Sequence, residues 1–273
     1  MTSIEAAQRI ERMARLLRKD VIEMTYTAQS GHPGGSFSLA EIMSALYFED
    51  LRYDTSNPKW PGRDRVVLSK GHAAPILYAA LAEAGFFDKA ELKTFRKIDA
   101  LLQGHPCISI PGVDVTTGSL GLGLSAACGI AIGARMTGLD VHVYAILGDG
   151  ELGEGQIWEA AMAASHLKLN NLTAIIDRNG YQNDGKTADI LNTEPLLEKW
   201  VSFGWRTVEI DGHSVSEILD AFALARDSSQ APVMIIANTV KGNGASYLID
   251  QPTLHYTPPT TAQMEQTLRE LGF

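Results

Sequence analysis

An acid and an amide that follow two strand-like runs have the chemistry of a metal site. Asp149 stands between Gly148 and Gly150, so little side-chain bulk would separate its carboxylate from a ligand. Asn179 follows thirty positions later with an amide oxygen, and the backbone carbonyl of Tyr181 would supply a third oxygen. Mg²⁺ typically takes about six oxygens, a few from protein and the rest from phosphates and water. The spacing predicts a metal-bridged diphosphate site, although Asp and Asn are also common in simple turns.

Strand-like and helix-like segments alternate along the chain, which favours an α/β fold: a doubly wound parallel sheet with helices on both faces. Ligands of such sheets bind beyond the carboxyl ends of the strands. Four predicted strands run into the loops GDG, DRNG, SKGH and KGNG, so we expect these loops to meet at one edge. The predicted strands are 65–69, 141–147, 172–177, 205–210 and 232–239, and the predicted helices are 4–28, 75–84, 88–97, 121–136, 154–167, 194–203 and 214–226.

The glycine-rich loop SGHPGG is predicted to present His32 between two helices. Ser38 and Glu41, three positions apart, predict a capping box at the start of the second helix. We find no internal repeat and no linker that would divide the chain, and therefore predict one domain over residues 1–273.

Composition excludes several classes of protein. The net charge of -9 argues against a nucleic-acid partner, which would require clustered Lys and Arg. Cys107 and Cys128 give no disulfide framework or zinc spacing, and we expect both to be buried. The N-terminal segment lacks the apolar centre of a signal peptide, and no run reaches the roughly 20 apolar residues of a membrane helix. We therefore expect a cytoplasmic protein without a membrane partner.

The segment from GDG to the asparagine thirty residues later resembles the diphosphate-binding motif of thiamine diphosphate enzymes. Within that group, GDGELGEGQIWEAAMAASHLKLNNL resembles transketolase, and SGHPGGSFS, SKGHA, QGHP, TGSLGLGLS and TVKGNG match transketolase segments in the same order. The resemblance covers about residues 20–260. It implies the diphosphate-binding domain of the thiamine diphosphate-binding fold, with thiamine diphosphate and Mg²⁺ as cofactors and Ca²⁺ or Mn²⁺ as substitutes for Mg²⁺.

Four of the seven histidines fall on these family segments, and the resemblance implies catalytic roles for them. His72 and His105 would contact the cofactor and the hydroxyls of the donor sugar. His32 would serve the acceptor aldose, and His255 would lie between the diphosphate and substrate oxygens. A histidine near glycine is more often a structural loop residue, and we assign structural roles to the remaining three. Those three are His142 in a strand, His166 at a helix end and His213 in a turn.

The resemblance also implies a set of cofactor-binding residues. Glu154 and Glu159 match carboxylates of a network that joins two cofactor sites across a subunit interface, although an acid at a helix start is also favoured by the helix dipole alone. Lys70 and Lys241 match lysines close to the cofactor. The complete predicted set is Lys70, His72, Gly118, Leu120, Asp149, Gly150, Glu154, Glu159, Asn179, Lys241 and His255, with Asp149, Asn179 and Tyr181 as metal ligands.

A full-length transketolase continues through a pyrimidine-binding domain and a C-terminal domain, which have no counterpart in these 273 residues. By resemblance, those domains supply the glutamate that contacts the aminopyrimidine ring and the arginines that hold the substrate phosphate. We therefore expect the N-terminal subunit of a split transketolase of carbohydrate metabolism, in the pentose phosphate pathway. It would transfer a two-carbon ketol unit between sugar phosphates together with a C-terminal transketolase subunit, as a heterotetramer.

Some positions depart from the family pattern, and other functions remain open. Leu254 and Tyr256 flank His255 where Trp and Gly are usual, and Ser119 and Leu122 stand where Pro and Gln are common. These departures indicate an altered substrate pocket and leave open a variant that acts on a branched or sulfonated sugar. The α subunit of a 2-oxo acid dehydrogenase and a non-catalytic cofactor-binding partner are the further alternatives.

Overall fold

Five parallel strands form the central sheet of the computed structural model, which describes residues 3–249, 251 and 254–273. The spatial order of the strands is β1-β2-β3-β7-β6, so the chain passes from β3 to the edge strand β6 and returns to β7 between them. The five carboxyl ends therefore share one edge of the sheet, as the sequence predicts. The strands are β1 (Arg65–Leu68), β2 (Val143–Gly148), β3 (Leu172–Arg178), β6 (Arg206–Asp211) and β7 (Val233–Asn238), and a separate antiparallel pair is β4 (Tyr181–Gln182) and β5 (Gly185–Lys186).

Helices cover both faces of this sheet. The helices are α1 (Ser3–Ala28), α2 (Pro33–Phe37), α3 (Ala40–Ala45), α4 (Ala74–Ala84), α5 (Leu122–Met136), α6 (Gly155–His166), α7 (Thr187–Ile190), α8 (Leu196–Ser202), α9 (Val215–Arg226) and α10 (Thr261–Leu271), with a π-helical turn at Leu46–Asp50 and 3₁₀ turns at Gly71–Ala73, Lys89–Thr94, Gly150–Gly153 and Ser246–Leu248.

Alternating side chains of the strands build two separate cores. Tyr144 and Ile146 of β2 pack with α1, α3, α4 and α9, whereas Val143, Ala145 and Leu147 of the same strand pack with α5, α6 and α8. This period of two places every second residue on the opposite face, so β2, β3 and β7 are buried on both sides, whereas the edge strand β6 is mostly exposed or half-buried. The predicted doubly wound α/β sheet is therefore confirmed. None of the helices in the described ranges combines the length and apolar character needed to cross a bilayer.

Several local predictions differ from the structure. The predicted capping box is wrong: α3 begins at Ala40 without a side-chain cap, because Ser38 donates to Asp177 while Glu41 pairs with Arg18. The predicted helix over 88–97 is a short 3₁₀ helix, Lys89–Thr94. Cys128 is buried as expected, but Cys107 is only half-buried.

Candidate active site

A cavity of about 380 Å³ opens at the carboxyl edge of the sheet, where the loops after β1, β2, β3 and β7 converge. Twelve of the predicted site residues line it, together with several that the sequence analysis did not single out. The predicted residues in the lining are His32, Lys70, His72, Gly118, Leu120, Asp149, Gly150, Glu154, Asn179, Tyr181, Lys241 and His255, and the others are Gly35, Gly148, Glu151, Gln182 and Asn183.

Asp149 lies at the end of β2 with its carboxylate held by two backbone groups. Oδ1 accepts from the N–H of Gly150 at 2.9 Å, and Oδ2 accepts from the N–H of Gly180 at 2.6 Å. Burial, reinforced by the charge of Asp177, raises the pKa of Asp149 to about 7. A carboxylate has about four lone-pair sites, so two hydrogen bonds leave acceptor capacity for a cation. A cation would also relieve the unfavourable burial of this charge.

Asn179 is oriented so that the nitrogen and the oxygen of its side-chain amide have different partners. Nδ2 donates to Asp177 at 2.9 Å, while Oδ1 accepts from the N–H of Tyr181 at 3.1 Å. The amide oxygen therefore faces away from Asp177 and keeps a second lone pair. In the described part of the chain no three His, Cys, Asp or Glu side chains are arranged to hold a metal. A metal in this cavity would thus depend on mixed oxygen donors, which is the chemistry of Mg²⁺.

Asp177 is fully buried at the end of β3 and joins three loops, yet the sequence analysis did not identify it. Besides Asn179, its donors are Lys70 Nζ, Ser38 Oγ and Thr239 Oγ1. Burial alone would raise the pKa of Asp177, but the charge of Lys70 and these hydrogen bonds lower it. An acid at the last position of the apolar run LTAIID was the signal available in the sequence.

The two lysines of the cavity differ in their partners. Lys70 Nζ donates to Asp177 and, at 3.0 Å, to the carbonyl of Gly35, so its charge is compensated within the protein. Lys241 is 4% exposed, and its Nζ has no hydrogen-bond partner within the described ranges. Burial, together with the charge of Lys70, lowers the pKa of Lys241 to about 8. Lys241 is therefore a buried cation suited to an anionic ligand.

Three of the predicted histidines form a triangle in the lining of the cavity. The ring centroids of His32 and His72 are 5.2 Å apart, and His255 lies 5.2 Å from His32 and 5.3 Å from His72. Burial is the main cause that lowers the pKa of His32 to about 4, of His72 to about 2 and of His255 to about 3. All three imidazoles are neutral at pH 7. Each can therefore donate from one nitrogen and accept at the other.

His105 and Glu159 do not line the cavity. His105 is exposed, and its ring packs beside Gly118, where an added Cβ would lie 3.2 Å from the imidazole. Partial burial and the charge of Arg96 lower the pKa of His105. Glu159 is exposed on α6. Their predicted roles at a second chain or a substrate stay predictions.

Glu151 is a second buried acid that the sequence analysis missed, although it follows directly after GDG. Its carboxylate accepts from the hydroxyl of Ser69 and from the N–H groups of Gly121 and Gly148, at 2.9 and 3.0 Å. Burial raises its pKa. Glu151 thereby joins the loops after β1 and β2 to the start of α5. Glu154 packs against the same helix start, since a Cβ on Gly121 would lie 2.7 Å from the Cβ of Glu154.

The three histidines expected to be structural lie outside the cavity lining. His142 precedes β2 and its Nε2 lies 2.8 Å from the Thr173 hydroxyl, and His166 is the last residue of α6. His213 follows β6 and contacts Glu41.

The cavity fits a metal-bound diphosphate. Lys241 Nζ and His255 Nδ1 are buried polar atoms without a hydrogen-bond partner among the residues described, although Lys241 Nζ lies 5.4 Å from the centre of the Tyr181 ring. Gly150, next to Asp149, packs closely against Gln182, because an added Cβ would lie 2.6 Å from Gln182 Cβ; a larger residue would not fit at this position of the cavity lining. An orphaned ammonium beside carboxylate and amide oxygens is the donor set that a Mg²⁺ diphosphate requires.

Comparison with known proteins assigns this arrangement to a family. The family described as the thiamine diphosphate-binding domain of transketolase matches residues 6–273. The chain is 40% identical over 255 residues to an apulose-4-phosphate transketolase subunit of Phocaeicola vulgatus, and the match covers 93% of this chain and 91% of that protein. It is 43% identical over 263 residues to the 6-deoxy-6-sulfo-D-fructose transketolase subunit SqwG of a Clostridium species, covering 96% of each.

Longer transketolases match over part of their length. Human transketolase is 44% identical over 265 residues, which are 97% of this chain and 42% of the human protein. The solved transketolase of Leishmania mexicana superposes with a TM-score of 0.92 at 32% identity, over 96% of this chain and 41% of that chain. The transketolase of Campylobacter jejuni gives a TM-score of 0.91 at 33% identity, and the match covers 100% of this chain and 43% of that chain. The chain therefore belongs to the transketolase family, in which it corresponds to the thiamine diphosphate-binding domain.

Proposed function

We propose that this chain is the diphosphate-binding subunit of a two-chain transketolase. It transfers a two-carbon ketol unit from a ketose phosphate to an aldose phosphate. The observation that carries the proposal is the buried ammonium of Lys241, which has no hydrogen-bond partner among the described residues and lines the same cavity as the oxygen donors Asp149 and Asn179. The proposed partner is a C-terminal transketolase subunit, in a cytoplasmic heterotetramer of the pentose phosphate pathway. The relatives named as transketolase subunits, which match over nearly their whole length, support a separate partner.

Thiamine diphosphate, when bound, supplies the nucleophilic carbon and the electron sink of ketol transfer. The residues of this chain anchor and orient it. Asp149, Asn179 and the carbonyl of Tyr181 would ligate Mg²⁺, and Ca²⁺ or Mn²⁺ would serve as substitutes. Lys241 would contact the diphosphate. Lys70 would act through Asp177, because its ammonium is already bound there.

The neutral histidines would hold and orient substrate hydroxyls. His72 and His255 have low pKa values, so each keeps a bare ring nitrogen at pH 7 that can accept a hydrogen bond from a substrate hydroxyl. His32 lies within 5.2 Å of both ring centroids and would serve the acceptor aldose. His105, exposed beside Gly118, would contact the donor sugar at the interface with the partner subunit.

A reconstitution assay tests the proposal. The purified chain with thiamine diphosphate and Mg²⁺ should show no ketol transfer until the C-terminal subunit is added. The chain with Asp149→Ala should remain inactive after that addition, because the metal loses its only carboxylate ligand among the proposed donors. Robust transfer by this chain alone would contradict the two-chain proposal. Turnover of pyruvate instead of ketose phosphates would favour a 2-oxo acid dehydrogenase subunit.

A narrower candidate is a transketolase for a branched or sulfonated sugar. Two relatives are named for apulose-4-phosphate and for 6-deoxy-6-sulfo-D-fructose. Tyr256 supports this candidate, since its ring lies 6.5 Å from that of His32, which lines the cavity, and its side chain is exposed. Measuring kcat/KM of the reconstituted enzyme for xylulose 5-phosphate, for a branched ketose phosphate and for a sulfonated ketose tests it. A clear preference for xylulose 5-phosphate would contradict the candidate.

A further inference from the structure

His213 lies outside the cavity but contacts the loop that carries Lys241. It follows β6, and its two ring nitrogens have partners on different elements. Nε2 accepts from the backbone N–H of Val240 at 2.9 Å, and Nδ1 lies 3.0 Å from Oε2 of Glu41 on α3. Val240 directly precedes Lys241, so the imidazole connects the α1–α3 side of the core to the lysine loop.

The partners of His213 determine which nitrogen carries the proton. The Val240 N–H can only donate, so Nε2 must be bare and Nδ1 must carry the hydrogen. That hydrogen points to Glu41, which also accepts from Arg18 at 2.6 and 2.7 Å. Nδ2 of Asn243 lies 3.0 Å from Nδ1, and rotating this amide by about 180° places its oxygen there instead, as a second acceptor for the proton.

Glu41 is a permanent acceptor for that proton. Burial alone would raise the pKa of Glu41, but its hydrogen bond with His213 and the charge of Arg18 lower it to about 2. The carboxylate therefore stays ionised at neutral pH and fixes the tautomer of the imidazole.

The lysine loop is held at both ends of Lys241. On one side the Val240 N–H is bound by His213, and on the other the N–H of Gly242 donates to the carbonyl of Gly34 at 3.0 Å. The stem of Lys241 packs on the same glycine, since a Cβ added to Gly34 would lie 3.3 Å from Cγ and Cε of the lysine. With the stem enclosed and both flanking amides bound, the position of Nζ depends on these two anchors.

We propose that His213 is a positioning residue for cofactor binding: its bare Nε2 holds the Val240 amide and thereby directs the ammonium of Lys241 into the cavity. The Arg18–Glu41 pair maintains the tautomer that this task requires. The inference rests on the proposed function, because it assumes that Lys241 contacts the cofactor diphosphate. It changes the role of His213 from a turn residue to part of the machinery that orders the site.

Two substitutions separate this role from a general structural one. In His213→Gln the side-chain oxygen can reach the place of Nε2, whereas in His213→Asn the shorter amide reaches only the place of Nδ1. We expect His213→Asn to raise the Kd for thiamine diphosphate with Mg²⁺ about 10-fold, the lower range for loss of a supporting hydrogen bond at a ligand. Amide hydrogen exchange at Val240 should accelerate to a similar degree. His213→Gln should keep both quantities near the wild-type values.

Three outcomes would overturn the inference. The Kd could stay unchanged in His213→Asn, the two variants could behave alike in Kd and exchange, or the ¹⁵N spectrum of the wild-type ring at pH 8 could place the proton on Nε2. The last measurement needs no variant and so does not depend on folding of the substituted chains. Lys241→Met in the same titration separates a failure of the proposed function from a failure of the positioning role. If Lys241→Met leaves the Kd unchanged, the proposed function fails; if it raises the Kd and His213→Asn does not, the positioning role fails.

Discussion

Replacing Lys241 with methionine should stabilise the cofactor-free chain while weakening cofactor binding. The ammonium is buried without a hydrogen-bond partner in the described ranges, and its pKa is lowered from 10.5 to about 8, mainly by burial. Such a shift corresponds to about 3 kcal/mol of stability lost when the amine is charged. Methionine keeps much of the apolar stem that packs on Gly34 and removes the buried charge. We therefore expect an increase of up to about 3 kcal/mol in the free energy of unfolding at pH 7.

The pH dependence of this gain follows from the sign of the shift. Between pH 8 and 10.5 the unfolded wild-type chain binds the lysine proton more readily than the folded chain, so wild-type stability rises with pH across that window. The advantage of Lys241→Met should therefore be full below pH 8 and fall below about 1 kcal/mol by pH 10. Urea unfolding at pH 7 and pH 10 measures both values. Lys59→Met, at an exposed lysine, is the matched control and should change stability little at either pH.

Cofactor binding should change in the opposite direction. A hydrogen bond to a charged group is worth about 1.5–3 kcal/mol, so loss of the ammonium should raise the Kd for thiamine diphosphate with Mg²⁺ by about 10-fold or more. Isothermal titration of the two variants measures this change. A Lys241→Met chain that is no more stable at pH 7, and that binds the cofactor as the wild type does, would refute the reasoning.

Three further predictions concern other residues. Asp149→Asn should weaken cofactor binding about 10-fold or more in the presence of Mg²⁺ but little in its absence, as titrations with and without metal would show; equal losses would contradict a metal ligand. The pKa of His72 is lowered to about 2, so below pH 6.5 the unfolded chain binds a proton that the folded chain does not, and stability falls with pH. Between pH 7 and pH 5 the free energy of unfolding, measured in urea, should therefore fall by about 2 kcal/mol less in His72→Asn than in the wild type, and an equal fall in both would contradict this. Gly123→Ala should lower stability by about 1–3 kcal/mol, because its Cβ would lie 2.6 Å from Cα of Ser69. Gly129→Ala, in the same helix with open space around it, should raise stability by up to about 1 kcal/mol, and similar effects of both would contradict the packing argument.

Strand ends and their loops were predictable because they depend on local patterns. Each predicted strand overlaps an observed one within two residues at either end, and the parallel arrangement brings their carboxyl ends together. That rule predicts that the loops carrying Asp149, Asn179 and Lys241 meet at one edge of the sheet, and all three residues line one cavity. The roles of four histidines came from resemblance to a family, and three of the four line the cavity.

Side-chain partners from distant segments were not predictable from local sequence. Asp177 receives Lys70 from 107 positions away and Ser38 from 139, so no nearby pattern reveals its central place. Ser38 and Glu41 have capping-box spacing, but Ser38 donates to the distant Asp177 and Glu41 pairs with the distant Arg18, so neither caps the helix. Partners of this kind depend on the packed fold, in which a buried charge must find opposite charge or hydrogen bonds. His213 shows the same limit, since its contact with Val240 joins two separate strand ends.

A crystal structure of this chain with thiamine diphosphate and Mg²⁺ would test the central claim most directly. We expect the metal at about 2.1 Å from oxygens of Asp149, Asn179 and the Tyr181 carbonyl, with two diphosphate oxygens and a water completing its coordination. Lys241 Nζ should lie within hydrogen-bond distance of the diphosphate. A diphosphate bound elsewhere on the chain, or held at this edge without a metal on Asp149, would contradict the account.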